Sequence, residues 1–336
     1  MTRSKRLLFI LVALAIPPIV LLAALFSLDV YLHHRYAQSA GLNTRGYRGP
    51  VLARKRPGEL RIAVVGGSTA FGYGVTWQNA FPALLAAKLN EIKPSRPVTV
   101  ANLGYNNEGA YSFKYTLSDF LYLDYDLAVI YTGYNDLGEA NTQVYRHQSP
   151  VFRLTGYMPI TPVVLREKAM ALRAGGDLEG AYNGKVAFNA KPKDRAAAAM
   201  LDTTVGVLNA LEGQLGRLTV NHPATELSHD GSCPPRWQFY CQQVYEATQF
   251  AVMHGKKALV VTEPYISDTH VEQQTAMANM IARRFAGNPR VRYVNLGRTV
   301  DLKDPSLAWD GMHLTIAGNR KVADALAPAT LDFLGM

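Results

Sequence analysis

Five short apolar runs, Arg61–Val65, Val98–Ala101, Asp126–Tyr131, Lys257–Thr262 and Val291–Asn295, recur along the chain, several of them rich in β-branched residues, with helical periodicity between or after them near 79–91, 110–123, 237–254, 270–286 and 315–327. Strands that alternate with helices do not close hairpins. Each helix carries the chain back along the sheet, so the pattern calls for an α/β fold with a parallel sheet covered on both faces. One interval breaks the rhythm. Nearly 100 residues, 139–236, separate the third strand from the helix that leads into the fourth, and they hold an Ala-rich helical stretch at 195–215 among Pro/Gly-punctuated segments. A crossover needs far fewer residues, so 139–236 reads as a helical insertion within a domain of 61–336, placed where it could cap a site.

The N-terminus obeys a different rule. Leu7 to Leu28 is a 22-residue run without a charged side chain, preceded by Arg3, Lys5 and Arg6. As a helix it would span roughly 33 Å, enough for a bilayer core of about 30 Å. Pro17-Pro18 would kink it, which membrane helices tolerate. The reading is a cytoplasmic tail at 1–6, a transmembrane anchor at 7–28 in the lipid bilayer, a juxtamembrane linker at 29–60 whose stretch 41–60 is rich in Gly, Arg and Pro, and a body outside the cytoplasm. A cleaved signal peptide is the alternative, but its apolar region usually runs about 7–15 residues, and the nearest small-residue site, Ala37-Gln38-Ser39, lies well beyond the run.

Charge excludes one broad class. The net charge is +9, yet residues 1–60 hold nine Lys/Arg against Asp29 and Glu59, leaving only +2 for 61–336. A nearly neutral body lacks the basic face that binding a phosphate backbone requires, so no nucleic-acid partner is expected. Arg54-Lys55-Arg56 would lie near anionic headgroups or simply in water. The two cysteines, Cys233 and Cys241, flank Pro234-Pro235. Outside the cytoplasm they would form a disulfide, the alternative being two buried thiols. No second Cys pair or spaced His pair accompanies them to make a zinc site.

In an open parallel sheet ligands bind beyond the carboxyl ends of the strands. Here the first strand runs into Gly66-Gly67-Ser68-Thr69, the second into Asn102-Leu103-Gly104, the third into Thr132-Gly133-Tyr134-Asn135-Asp136, and the last loop holds Trp309-Asp310-Gly311-Met312-His313. One sheet edge thus offers the parts of acyl transfer: a hydroxyl, a base, a carboxylate to hold the base, and donors for an oxyanion. Ser68, His313 and Asp310 fill the first three roles. The N–H groups of Ser68 and Gly104 and the Asn135 amide fill the fourth, and Thr315 would cap the following helix.

These blocks resemble those of the SGNH (GDSL-like) hydrolase family, whose name lists Ser, Gly, Asn and His in this order. The resemblance covers roughly 61–135 and 237–327. It implies a flavodoxin-like three-layer sandwich around a five-stranded parallel sheet, and hydrolysis of acyl, often acetyl, esters on glycans or lipids. Gly67 departs from the family motif, which has Asp there, and is expected to alter loop hydrogen bonding rather than abolish catalysis. No metal or organic cofactor is called for.

Asp268-Thr269-His270 offers a rival base on the same edge, and Glu263 is either an acceptor behind the site or a solvated rim residue. Phe71, Tyr73, Tyr105, Tyr111, Tyr134 and Trp309 make either a platform for a sugar or acyl chain or ordinary packing. The motifs leave open an O-acyltransferase acting on a cell-surface polysaccharide, which shares the acyl-enzyme, and a non-catalytic glycan-binding assembly factor that retains the fold.

Overall fold

The computed structural model describes residues 3–37, 42–93, 96–173, 175, 191–219 and 231–336. The chain divides into two compact units, Met1–Ala37 with Pro159–Leu218, and Gln38–Met158 with Thr219–Met336.

The second unit is built on five parallel strands, β1 (Leu60–Val65), β2 (Val98–Asn102), β3 (Leu127–Thr132), β4 (Lys257–Thr262) and β5 (Val291–Asn295). Their order is β2-β1-β3-β4-β5, that of flavodoxin-type doubly wound sheets, and it puts the topological switch point between β1 and β3. β1 and β3 are buried along their whole length, which is why they read as unbroken apolar runs. β5 closes one edge and is only partly covered.

Successive side chains alternate between the two faces. Ile62 and Val64 of β1, Val129 of β3 and Leu259 and Val261 of β4 share a core with Phe81, Leu85 and Leu89 of α3 (Phe81–Ile92) and Val322 and Leu326 of α11 (Ile316–Leu334). The opposite face is covered by α4 (Ala110–Asp119), α9 (Gln238–Met253) and α10 (Asp268–Arg284), among which α9 packs on both α4 and α10. A four-residue helix α2 (Ser68–Phe71) follows β1, and α5 (Tyr145–Gln148) and α6 (Pro150–Thr155) follow β3. Cys233 and Cys241 are joined by a disulfide that ties the segment before α9 to its first turn.

Two expectations change. Residues 42–59 are not a bare linker: Tyr47, Arg48 and Glu59 are buried, and the Arg48 N–H donates to Asn102 O at 3.0 Å, so this strap is part of the sheet unit. The insertion is also divided, because 139–158 belongs with the sheet while Pro159–Leu218 clusters with the N-terminus.

In that first unit α1 (Arg3–Tyr36) runs beyond residue 28, where the expected anchor ends, and Val12–Tyr36, which holds an 18-residue window of mean hydropathy 2.2, is long and apolar enough to cross a membrane. Signal sequences and core helices of soluble proteins share that property. α7 (Thr161–Arg173) and α8 (Pro192–Thr219) complete the unit. Buried Asp29 of α1 caps α7: its Oδ1 accepts the N–H groups of Ile160 at 2.9 Å and Thr161 at 2.7 Å and the Thr161 hydroxyl at 2.5 Å.

Candidate active site

At the switch point the loop after β1 meets the loop after β3, with Asn135 beside Gly67, and the loop that holds His313, with His313 beside Ser68. β1 ends in two glycines, each placed by a close approach. A Cβ on Gly66 would lie 2.6 Å from both Ala70 Cβ and Tyr131 O, and one on Gly67 would lie 2.3 Å from Asn135 Nδ2. Without side chains here, α2 starts tight against β3 and the Asn135 amide reaches the backbone of the Ser68 turn. Gly67 thus does more than alter loop hydrogen bonding, since its missing side chain is the space the amide uses.

Ser68 Oγ lies 2.9 Å from His313 Nε2, and His313 Nδ1 lies 2.6 Å from Asp310 Oδ2. Asp310 also turns its own loop, with Oδ1 accepting the N–H groups of Met312 at 2.9 Å and His313 at 2.7 Å. Burial alone would raise this carboxyl, but the bonds from the His313 ring and the two N–H groups outweigh it and hold Asp310 below the usual carboxylate range. With Nδ1–H donated to Asp310, Nε2 is the acceptor left for the Ser68 hydroxyl. The loop closes on itself through Trp309 N–H to His313 O at 3.1 Å, and Thr315 caps α11 through the Gly318 N–H at 3.2 Å.

The three groups expected as oxyanion donors differ in availability. The Ser68 N–H opens α2 and has no carbonyl within its own helix to bond. Asn135 sits in a single 3₁₀ turn, Tyr134–Asp136, directly after β3, and its side-chain amide donates to Glu108 O at 2.8 Å through one of its two hydrogens. Gly104 departs from expectation: its N–H donates to Asn102 Oδ1 at 3.1 Å. Glycine is needed there for packing, because a Cβ would lie 2.6 Å from Phe71 N.

Several supporting residues carried no motif. Asn102 Nδ2 donates to Ala70 O at 3.0 Å and Phe71 O at 3.2 Å, while the buried Arg48 guanidinium donates to the carbonyls of Phe71, Gly72 and Val75. Together they clamp the end of α2. Glu108, whose carbonyl aims Asn135, is fully buried against Arg146 at 3.2 Å. No local pattern marks Arg48 or Arg146, since each becomes buried only through contacts distant in sequence.

Glu263 is an acceptor behind the site and not a rim residue. It is 2% exposed, with Oε1 accepting from the Thr69 hydroxyl at 2.5 Å and Oε2 from the Tyr134 N–H at 2.8 Å. It therefore joins the residue after Ser68 to the residue before Asn135. Burial pushes its carboxyl up to about 7, the two bonds notwithstanding. Asp136 is raised to about 7 for the same reason, with Glu263 adding to the rise.

The rival base fails on geometry. His270 is 0% exposed, wedged between the rings of Tyr134 at 5.0 Å and Tyr265 at 5.8 Å, and burial lowers it to about 4, whereas Asp268 is exposed at the helix start. Of the aromatic side chains, Tyr73 and Trp309 flank the His313 ring at 4.9 and 5.3 Å. Tyr134 instead sends its hydroxyl to Pro264 O at 2.5 Å and Tyr105 stacks on Tyr145 at 5.2 Å, so these two are packing residues. Among the described residues no group of three His, Cys, Asp or Glu side chains could hold a metal ion.

Comparison with known proteins places this arrangement. The profile of the family described as GDSL-like Lipase/Acylhydrolase matches residues 62–326. No curated protein sequence matches the chain. Among solved structures, the acetylxylan esterase Axe2 of Geobacillus stearothermophilus is similar at 14% identity and a TM-score of 0.42, over 82% of this chain and 94% of that one. The family 3 carbohydrate esterase of Clostridium thermocellum is similar at 12% identity and a TM-score of 0.43, over 82% and 97%. LAE5, an alpha/beta hydrolase enzyme from the metagenome of Lake Arreo, Spain, is similar at 16% identity and a TM-score of 0.44, over 83% and 96%.

Proposed function

The chain belongs to the GDSL-like lipase/acylhydrolase family, and from that premise we propose that it is a serine ester hydrolase with Ser68 as nucleophile, His313 as base and Asp310 as the group that orients His313. The observation that carries the reading is the continuous path from Ser68 Oγ to His313 at 2.9 Å and from His313 to Asp310 at 2.6 Å. His313 Nε2 takes the hydroxyl proton as Oγ attacks the ester carbonyl. The oxyanion that forms is met by the Ser68 N–H and the Asn135 amide, with the Gly104 N–H joining them if it leaves Asn102. His313 then protonates the departing alkoxide, and the alcohol leaves. Water, deprotonated by the same nitrogen, attacks the acyl-enzyme, and the carboxylic acid departs as Ser68 regains its proton.

The finer reading is that the ester is acetyl or another short acyl group on a glycan or lipid, met outside the cytoplasm by a domain tethered through α1. The length and hydropathy of α1 and the Cys233–Cys241 disulfide support that location. The test is turnover of p-nitrophenyl acetate together with labelling by a fluorophosphonate. Ser68→Ala is expected to lose both, and a Ser68→Ala protein that still turns over the ester would sink the assignment.

A further inference from the structure

A cleft of about 710 Å³ opens beyond the ends of β4 and β5, and Trp309 and Gly311, the neighbours of Asp310 on either side, form part of its wall. In strand order the oxyanion donors follow β1 and β3, so the cleft lies toward the opposite end of the sheet edge, with His313 joined to it through the Trp309 ring that stacks on the imidazole at 5.3 Å. That placement has a chemical meaning. The acyl oxygen must face the donors, whereas the departing oxygen must receive its proton from His313 Nε2, so the alcohol half of the ester extends toward the cleft and not toward Gly104.

The lining says what that alcohol carries. Tyr265 is held flat against the backbone of Gly297, where a Cβ would lie 2.2 Å from its ring, and its hydroxyl accepts from Asn295 Nδ2 at 2.9 Å. With Trp309 it gives two aromatic surfaces of the kind on which pyranose rings pack. Arg298 and Lys303 line the same cleft, are exposed, and enter no ion pair among the described residues. Asp301, the one acidic side chain of the lining, accepts the Lys303 N–H at 3.0 Å within its own turn. Two cations that form no ion pair among the described residues, set beside aromatic side chains, complement a planar carboxylate on a sugar ring.

We infer that this cleft binds the alcohol part of the substrate and that this part is a carboxylate-bearing saccharide, so that the acyl group removed is carried by an acidic glycan. The inference rests on the reading of Ser68 and His313 as the reacting pair and adds the identity of the leaving group.

The experiment compares kcat/KM of the full-length chain on an acetylated oligogalacturonate and on an acetylated xylo-oligosaccharide of equal length, with p-nitrophenyl acetate alongside. The acidic substrate is expected to be preferred by about tenfold or more at low ionic strength, and the ratio is expected to fall toward one at about 0.5 M salt. It is expected to fall likewise in the double variant Arg298→Ala/Lys303→Ala. Binding of deacetylated oligogalacturonate to the Ser68→Ala chain, read by calorimetry, is expected to weaken about tenfold in the same double variant. A ratio near one in the unmodified chain, a ratio unmoved by the double variant, or a preference for long-chain acyl esters that ignores both cations overturns the inference. If no ester is turned over, p-nitrophenyl acetate included, the hydrolase reading fails by itself. The calorimetric arm then decides the cleft, and absent or cation-independent binding of oligogalacturonate overturns it.

Discussion

Gly67→Ala offers a sharp test of how this site is assembled, because it adds one methyl group where the family's motif carries a whole side chain. Gly67 has φ −81° and ψ −153°, a conformation open to any L-residue, so the substitution brings no backbone strain. The cost falls on Asn135. The new Cβ would lie 2.3 Å from Nδ2, and ordinary contact begins near 3.4 Å, so the amide must retreat by about 1.1 Å and give up its 2.8 Å bond to Glu108 O. In the proposed mechanism a donor displaced that far no longer meets the oxyanion. Losing one such donor lowers kcat by about 10²–10³, or about 2.7–4 kcal/mol of transition-state stabilisation.

Three measurements on p-nitrophenyl acetate and thermal melting check this. kcat is expected to fall by about 10²–10³ with KM nearly unchanged. The melting temperature is expected to stay within a few degrees, since Gly→Ala at a permitted conformation also restricts the unfolded chain. Finally, Gly67→Ala combined with Asn135→Ala is expected to be no worse than Asn135→Ala alone, because both remove the same donor. A Gly67→Ala protein with kcat within about threefold of the original, or with losses that multiply in the double variant, would refute the placement of Asn135 in the reaction.

Other parts of the site have their own expected outcomes. Glu263 is raised from its ordinary value to about 7, so the stability it contributes is complete below about 4.5 and is lost as pH rises through about 7. Glu263→Gln, which never ionises, should therefore gain on the original chain by on the order of 2 kcal/mol between pH 4.5 and 7.5, and urea titrations giving a constant difference would contradict this. Arg48→Met leaves the carbonyls of Phe71, Gly72 and Val75 without their shared donor, at an expected cost of about 2–4 kcal/mol. Denaturant midpoints equal to those of the unmodified chain would count against the strap. Breaking the Cys233–Cys241 link, which spans a sequence separation of 8, should cost about 2.5 kcal/mol by the chain-entropy relation. Unfolding curves of Cys233→Ala, or of the chain with and without reductant, measure that cost.

Strands, helices and the loops at their ends were legible because they rest on local rules. Periods of two and 3.6 residues located β4 and β5 to the residue and β1, β2 and β3 to within one, and the loops after β1, β3 and β5 carry Ser68, Asn135 and His313 at the same edge in the structure. What the periodicity lacked is long-range. The stretch 41–60 looked like a linker because its Arg, Gly and Pro content is polar, and Arg48 becomes an internal clamp only through carbonyls more than 20 residues away. Glu263 looked ambiguous for the same reason, its partners Thr69 and Tyr134 lying 194 and 129 positions off. Gly104 was read as an N–H donor to an oxyanion, but Asn102, two residues before it, takes that N–H, and its lack of a side chain makes room for the backbone of Phe71. The expected anchor stops at residue 28 because hydropathy tracks the apolar run, while the helix continues to Tyr36 through polar residues that pack with α7.

That continuation changes how the protein should be cut for study. Deleting the greasy N-terminus to obtain a water-soluble fragment starting near residue 41 would also discard Asp29, and with it the acceptor for two amide hydrogens and a hydroxyl at the head of the helix that begins at Thr161. The shortened protein would leave the start of α7 without that cap, so an expression strategy that keeps α1 is the sounder starting point.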